Sequence, residues 1–282
     1  MALIPEGWFN MGYDEGEFNE SPEHEIFVRE FRLDMYEVSA KELAQFLVEN
    51  GNPDGRYFTC DRYSTVMCVV RGTEYTGAPG GEEVFYVPRS GYENYPANNV
   101  SWYGADGFCR WKGKRLPSEA EWEKAARGDD GRLYPWGPGL PDRKTSRFGT
   151  EVEKEGLAVL SPVDSLPDGR SYYGLYNMAG NVLEWTNDWY RQNYCNFCDP
   201  GGNEYAEAAS EILAHRGVRG EGARKKSDIP PMYDSEGPEV GSFKVLRGGA
   251  WSNRLEVELR TVFRYWLDPG DRDITTGFRC AK

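Results

Sequence analysis

The residues best able to do chemistry lie between Gly174 and Tyr190, in the run Gly-Leu-Tyr-Asn-Met-Ala-Gly-Asn-Val-Leu-Glu-Trp-Thr-Asn-Asp-Trp-Tyr. Asn177 and Glu184 can supply side-chain oxygens. Gly180 admits a positive φ, where a β-carbon would clash, so the loop between them can expose carbonyls. Such an all-oxygen set, delivered by one loop, suits a hard cation of the calcium type. The competing reading is a hydrogen-bonded polar turn beneath an aromatic core. A second chemistry is suggested by Cys195-Asn-Phe-Cys198, which has the spacing of a zinc knuckle and needs Cys60 and Cys68 to complete a tetrad. The same four cysteines could equally form disulfides or stay as buried thiols. Other chemistries are excluded by pattern. The chain has no Gly-x-Ser-x-Gly elbow and no phosphate loop. Its only histidines, His24 and His215, are too few for a three-histidine iron site.

The elements that must position these residues are short. Residues 1–37 read as β segments joined by turns, with partial alternation in Glu25-Ile-Phe-Val-Arg-Glu-Phe-Arg-Leu. Ser39 and Glu42 form a capping box ahead of Leu43, Phe46 and Leu47, and Asn50-Gly51 ends that helix. Ser101 opens a second helix with Trp102, Ala105, Phe108 and Cys109 on one face, stopped at Gly113. Ser118 and Glu121 cap a third helix, which runs to Arg127 and buries Ala120 and Trp122. A strand is expected over Glu83–Val87, loop over 134–162, and paired strands in 245–282 closing beside the N-terminal strand. The stretch 191–243 reads as a surface insertion, with a short helix over Ala206–His215 and a basic run from Arg216 to Lys226 taken as a solvated loop.

Composition agrees with an irregular fold: 33 Gly and 17 Pro imply many turns, and 9 Trp, 18 Tyr and 13 Phe supply a core with few aliphatic runs. A formal charge of −13 argues against nucleic-acid binding and favours cations as ligands. There is no apolar run long enough to cross a membrane. Met1 leads directly into the fold, so a soluble chain without a signal peptide is expected, with export after signal removal left open.

The central run resembles the core motif of the formylglycine-generating enzyme (sulfatase-modifying factor) family, Gly-Leu-Tyr-Asp/Asn-Met-x-Gly-Asn-Val-Trp-Glu-Trp, with Leu183 in place of the first Trp. Three more stretches fit in order: Leu-Ile-Pro-Glu-Gly-Trp-Phe-Asn-Met-Gly near the start, Gly-Lys-Arg-Leu-Pro-Ser-Glu-Ala-Glu-Trp-Glu at 113–123, and Leu-Arg-Gly-Gly-Ala-Trp followed by Gly-Phe-Arg-Cys at 246–280. The resemblance implies one α+β domain over 1–282 with a C-type-lectin-like fold. It also implies a disulfide between Cys109 and Cys280, and a calcium held by Asn177, Gly180, Val182 and Glu184, the two middle residues through carbonyls. A further calcium is implied at Glu155 and Leu157, where Arg147 is a poor neighbour unless it points away. Arg247, Arg260, Arg264, Arg272 and Arg279 are expected to pair with core carboxylates.

What the resemblance implies for activity is limited by two positions. Formylglycine-generating enzymes oxidise a substrate cysteine with oxygen, using copper(I) on two thiolates that follow the Arg-Gly-Gly motif. Those positions here are Asn253 and Glu258, so copper chemistry is not expected. Another branch, the variable proteins of diversity-generating retroelements, keeps a similar C-terminal frame and displays diversified residues on it. The matching displayed set is Trp251, Ser252, Asn253, Leu255, Glu256, Tyr265, Trp266, Leu267, Asp268, Asp271, Asp273, Ile274 and Thr275. Mixed aromatic and small polar residues on a rigid frame make an adaptable contact surface. The sequence therefore points to a calcium-stabilised, ligand- or protein-binding member. The alternative is a non-copper oxidase or maturation enzyme with an unassigned metal.

Overall fold

In a computed structural model, the structure describes residues 1–70, 73–75, 84–192, 232–233 and 238–282. The chain opens with β1 (Ala2–Ile4), β2 (Gly7–Met11), β3 (His24–Val28) and β4 (Phe31–Leu33). β2 and β3 pair antiparallel, with Phe9 opposite Ile26, and β4 returns to β1. Ser39 caps α1 (Ala40–Asn50) as expected: its side chain accepts from the Glu42 amide while Glu42 reaches back to the Ser39 amide. Next come β5 (Val66–Val70), β6 (Thr73–Tyr75) and β7 (Val84–Pro88), which form a small antiparallel sheet. Ser101 caps α2 (Trp102–Trp111), and Ser118 with Glu121 caps α3 (Glu119–Arg127).

The stretch expected to be loop contains one helical turn, α4 (Val152–Glu155), continued by a 3-10 turn over Gly156–Val159. The apolar side chains Val152, Leu157 and Val159 anchor it on a core cluster, which explains why it is ordered. Beyond it lie β8 (Leu183–Trp189), β9 (Met232–Tyr233), β10 (Lys244–Arg247), β11 (Arg264–Leu267) and β12 (Thr276–Gly277). Four of these make the main sheet in the order β11-β10-β8-β12, with β12 parallel to β8 and the other pairs antiparallel. β9 pairs with β3. The C-terminus closes on the N-terminal strands through Leu33 opposite Ala281.

Two clusters make most of the core. One lies where α1, α2 and the main sheet meet, around Phe46, Phe108, Trp185 and Phe278, with the Phe108 and Phe278 rings edge to face at 5.3 Å. The other lies between α3 and β2–β3, around Phe9, Ile26, Trp122 and Met178. α3 sits between the clusters and is buried on every side, its charged residues included.

Cys109 and Cys280 are joined, tying α2 to the C-terminus. Cys60 and Cys68 are also joined, so these two cannot be thiolate ligands of zinc. Cys195 and Cys198 lie outside the described residues, as do the Ala206–His215 helix, the Arg216–Lys226 run and most of the expected insertion. Chain-entropy reasoning assigns about 5 kcal/mol to closing a 171-residue loop and about 2–3 kcal/mol to closing one of 8 residues. C109A/C280A should therefore lower the urea midpoint clearly more than C60A/C68A does, in equilibrium unfolding followed by tryptophan fluorescence. Equal losses would mean that the long loop is already restrained in the unfolded chain.

Candidate functional site

The central run forms a turn fixed by left-handed residues: Asn177 (φ 52°), Gly180 (φ 75°) and Asn181 (φ 64°). At Gly180 a β-carbon would strike the Ser146 hydroxyl and the Arg147 carbonyl, so glycine is required there. The turn delivers Glu184 onto β8, fully buried. Both of its oxygens are engaged: Arg279 donates to Oε1 at 2.6 Å and to Oε2 at 2.7 Å, and Trp122 Nε1 donates to Oε2 at 2.8 Å. Asn177 and Asn181 face Glu37 instead. The Asn177 amide donates to Glu37 Oε2 at 2.8 Å and to the Val163 carbonyl at 3.3 Å. The Asn181 amide donates to Glu37 Oε1 at 2.9 Å and to the Ser161 carbonyl at 3.2 Å, while its Oδ1 accepts from the Ser161 amide. Burial, then the Glu184 charge, push the Glu37 carboxyl up to about 8.

These contacts revise the donor set that the resemblance implies. Glu184 does not fit a calcium, because a bidentate guanidinium and an indole already satisfy its carboxylate. Near Asn177 the available carboxylate is Glu37, 140 residues away and missed at the sequence level. The second implied site fares worse. Arg147 Nη2 pairs with Glu155 at 2.9 Å, so it points toward the position rather than away, and the Leu157 side chain is buried in the core. Among the described residues no three His, Cys, Asp or Glu side chains are grouped to hold a metal.

Four of the five C-terminal arginines meet buried carboxylates: Arg247 on Glu119 and Glu123, Arg264 on Glu119, Arg260 on Glu20 and Arg279 on Glu184. Arg272 departs from expectation: it is exposed and donates to the Gly55 carbonyl. Asn253 and Glu258, which the resemblance aligns with the copper thiolates, act as turn caps. Asn253 Oδ1 accepts from the Ala250 amide at 2.7 Å, and Glu258 Oε2 accepts from the Arg254 and Leu255 amides at 3.0 and 2.9 Å.

The displayed set splits into three places. Trp251 is not at the surface: it is 4% exposed, in a cluster with Val152, Leu157 and Val182, against which Ile274 packs. Leu255 and Glu256 are exposed on the turn after β10, beside half-buried Ser252 and Asn253, and the Glu256 carbonyl accepts from the Tyr134 hydroxyl. Tyr265 and Trp266 are exposed on β11, where Leu267 turns inward against the core. Asp268, Asp271, Asp273 and Thr275 continue into the next loop, with Asp268 and Asp273 capping their own turns.

The family described as the sulfatase-modifying factor enzyme 1-like domain matches residues 1–282. The chain belongs to this family. It is 32% identical over 321 residues to the formylglycine-generating enzyme of Thermomonospora curvata, covering 100% of this chain and 92% of that protein. It is also 33% identical over 283 residues to the serine/threonine-protein kinase pkn1 of Chlamydia caviae, but there it spans only 38% of the relative's length. Among solved structures, PvdO from Pseudomonas aeruginosa superposes with a TM-score of 0.63 at 23% identity, covering 99% of this chain and 92% of that one. Treponema denticola variable protein 1 gives a TM-score of 0.61 at 20% identity, covering 100% and 94%. At these identities the structural likeness shows the fold, which is the irregular α+β, C-type-lectin-like arrangement of the family.

A second buried carboxylate was also missed. Asp188 accepts from the Glu119 amide at 2.7 Å, and burial, then the Glu119 charge, push it up to about 8. Lys244 lies near it, its ammonium 4.2 Å from the Trp102 ring centre and 3.9 Å from that of Trp189; burial pulls it down to about 8. Folding raises the Asp188 value, so the folded protein keeps a proton that the unfolded chain releases near pH 4. That contribution to stability is present below about pH 4 and is lost as pH rises toward about 8. Asp188→Asn should therefore match the wild type in thermal melts near pH 4 and exceed it increasingly toward pH 8. A constant difference across this range would show that Asp188 is ionised in the fold.

Proposed function

We propose that this chain is a ligand- or protein-binding member of its family, and not a copper oxidase. The observation that carries the reading is the pair Asn253 and Glu258. Their side chains stand where copper(I) needs thiolates and instead satisfy backbone amides of their own turn. The frame around them is kept, since Arg247, Arg264 and Arg279 are locked into buried ion pairs. A rigid frame carrying exposed Leu255, Glu256, Tyr265, Trp266, Asp268 and Asp271 supports display of a contact surface, as in a retroelement-diversified protein. The two disulfides support an oxidising compartment.

The stabilising calcium belongs to this reading with one revision: Glu37, beside Asn177 and the Val163 carbonyl, takes the place of Glu184 as its acidic ligand. The support is a 2% exposed carboxylate bonded to two neutral amides and to no cation among the described residues. Rotation of the Asn177 amide would turn its oxygen toward the same point.

Two measurements test these statements. A cysteine-containing peptide incubated with the protein, copper(I) and oxygen should remain a thiol by mass spectrometry; aldehyde formation would sink the binding reading. Calcium should raise the melting temperature relative to a chelator, by the equivalent of about 2.7 kcal/mol at a hundredfold excess over Kd. Glu37→Gln should remove that response while Glu155→Gln keeps it. A calcium shift that survives Glu37→Gln would place the ion elsewhere.

A further inference from the structure

We propose that the exposed face of β11, together with the loop at 13–20, docks an arginine-bearing segment of a partner polypeptide. The inference rests on the binding reading above and names the partner chemistry.

A ladder of rings and one cation builds this face. The Arg264 guanidinium lies 5.0 Å from the Tyr190 ring centre, and Tyr190 stacks on Trp266 with centroids 4.3 Å apart and planes 19° from parallel. Trp266 is 39% exposed and Tyr265, its neighbour at 6.0 Å, is 42% exposed. Asn19 brings the 13–20 loop alongside: its amide donates to the Tyr190 hydroxyl at 3.3 Å, and its carbonyl accepts from Arg264 at 2.9 Å. Phe18, the preceding residue, is 58% exposed. Three aromatic side chains thus converge where the sheet ends, with Phe18 exposed on the adjoining loop, and Arg264 is spent on Glu119.

Charge selects the occupant. Asp14, Glu15 and Glu17 are exposed in the 13–20 loop, and exposed Asp268 and Asp271 follow β11 in sequence. None of the five is ion-paired among the described residues. The cations nearest in sequence are engaged elsewhere: Arg272, next to Asp271, donates to the Gly55 carbonyl, and Arg264 is paired with Glu119. Ring faces are electron-rich, so an aromatic platform between carboxylates favours a cation over the open face of Trp266. Arginine suits it better than lysine, because a planar guanidinium stacks on an indole while its edge donates to carboxylates. The outer guanidinium would then mirror Arg264 across the Tyr190–Trp266 stack. Anionic polymers are disfavoured by the same carboxylates and by the net charge of −13.

The test uses the full chain and a capped peptide of alternating arginine and serine, by titration calorimetry at 0.15 M salt. The expected result is binding of this peptide, weaker binding of its lysine counterpart, and none of its glutamate counterpart. Trp266→Ala should weaken the arginine peptide by about tenfold, and Phe18→Ala should weaken it to a smaller extent, with unchanged melting temperatures. Equal affinity of wild type and Trp266→Ala would overturn the proposal, leaving only general attraction to an acidic protein. Absence of binding to the wild type would overturn it too. Spermine binding as tightly as the peptide, with the same dependence on Trp266, would replace the polypeptide by a free polyamine. These failures leave the binding reading in place, because that reading falls on aldehyde formation in the copper assay.

Discussion

The structure depends on keeping two carboxylates of a fully buried helix paired with arginine. Glu119 and Glu123 lie on α3, which has no solvent face. Arg247 reaches both, at 2.9 and 2.5 Å, from β10; Arg264 grips Glu119 from β11; and Arg127 closes on Glu123 at 3.2 Å. The Arg247 and Arg264 contacts join elements far apart in sequence, whereas Arg127 and Glu123 lie one turn apart on α3. Removing one partner of such a pair leaves a bare charge in the interior, which costs about 3–5 kcal/mol. The network therefore specifies one arrangement of helix against sheet. Lys124 and Arg127 extend it to the N-terminal strands by donating to the carbonyls of Pro5, Gly7 and Gly12.

This constraint sorts the C-terminal segment into buried anchors and exposed residues. Its anchors point inward, and its exposed residues occupy the positions between them. Arg264 and Tyr265 are adjacent on β11, yet one completes a buried ion pair and the other faces solvent. The same logic applies to the turn after β10. Glu258 and Asn253 satisfy local amides, so the turn keeps its shape with no metal or disulfide at those positions. Buried frame and exposed surface are thereby separated residue by residue.

How much of this was legible in the sequence follows from the range of each interaction. The capping boxes at Ser39 and Ser118 were readable because donor and acceptor lie three residues apart. The positive φ at Gly180 was readable from the local motif, but the Ser146 and Arg147 atoms that exclude a β-carbon there come from a distant segment. Motif resemblance supplied the fold and the Cys109–Cys280 bond, which spans 171 residues. Lost were features decided by three-dimensional surroundings. Glu-Ala-Glu-Trp-Glu-Lys reads as a helix with a wet face, and only the distant arginines show why its charges are buried. Glu37 meets Asn177 across 140 residues, and nothing in its neighbourhood announces a buried acid. Trp251 adjoins exposed positions in sequence, yet it packs with Leu157 and Val159 of the 3-10 turn at Gly156–Val159. The motif aligns the Glu184 carboxylate with a cation ligand, but its partner in the fold, Arg279, is 95 residues on.

The central claim is that Asn253 and Glu258 serve as turn caps within the family frame and that the chain holds no copper there. Native mass spectrometry of the chain carrying Cys195→Ser and Cys198→Ser, after exposure to copper(I), tests it most directly. In that variant Cys60, Cys68, Cys109 and Cys280 are all held in disulfides. The account predicts a protein that retains both disulfides and no copper. One retained copper per chain, with both disulfides intact, would contradict it.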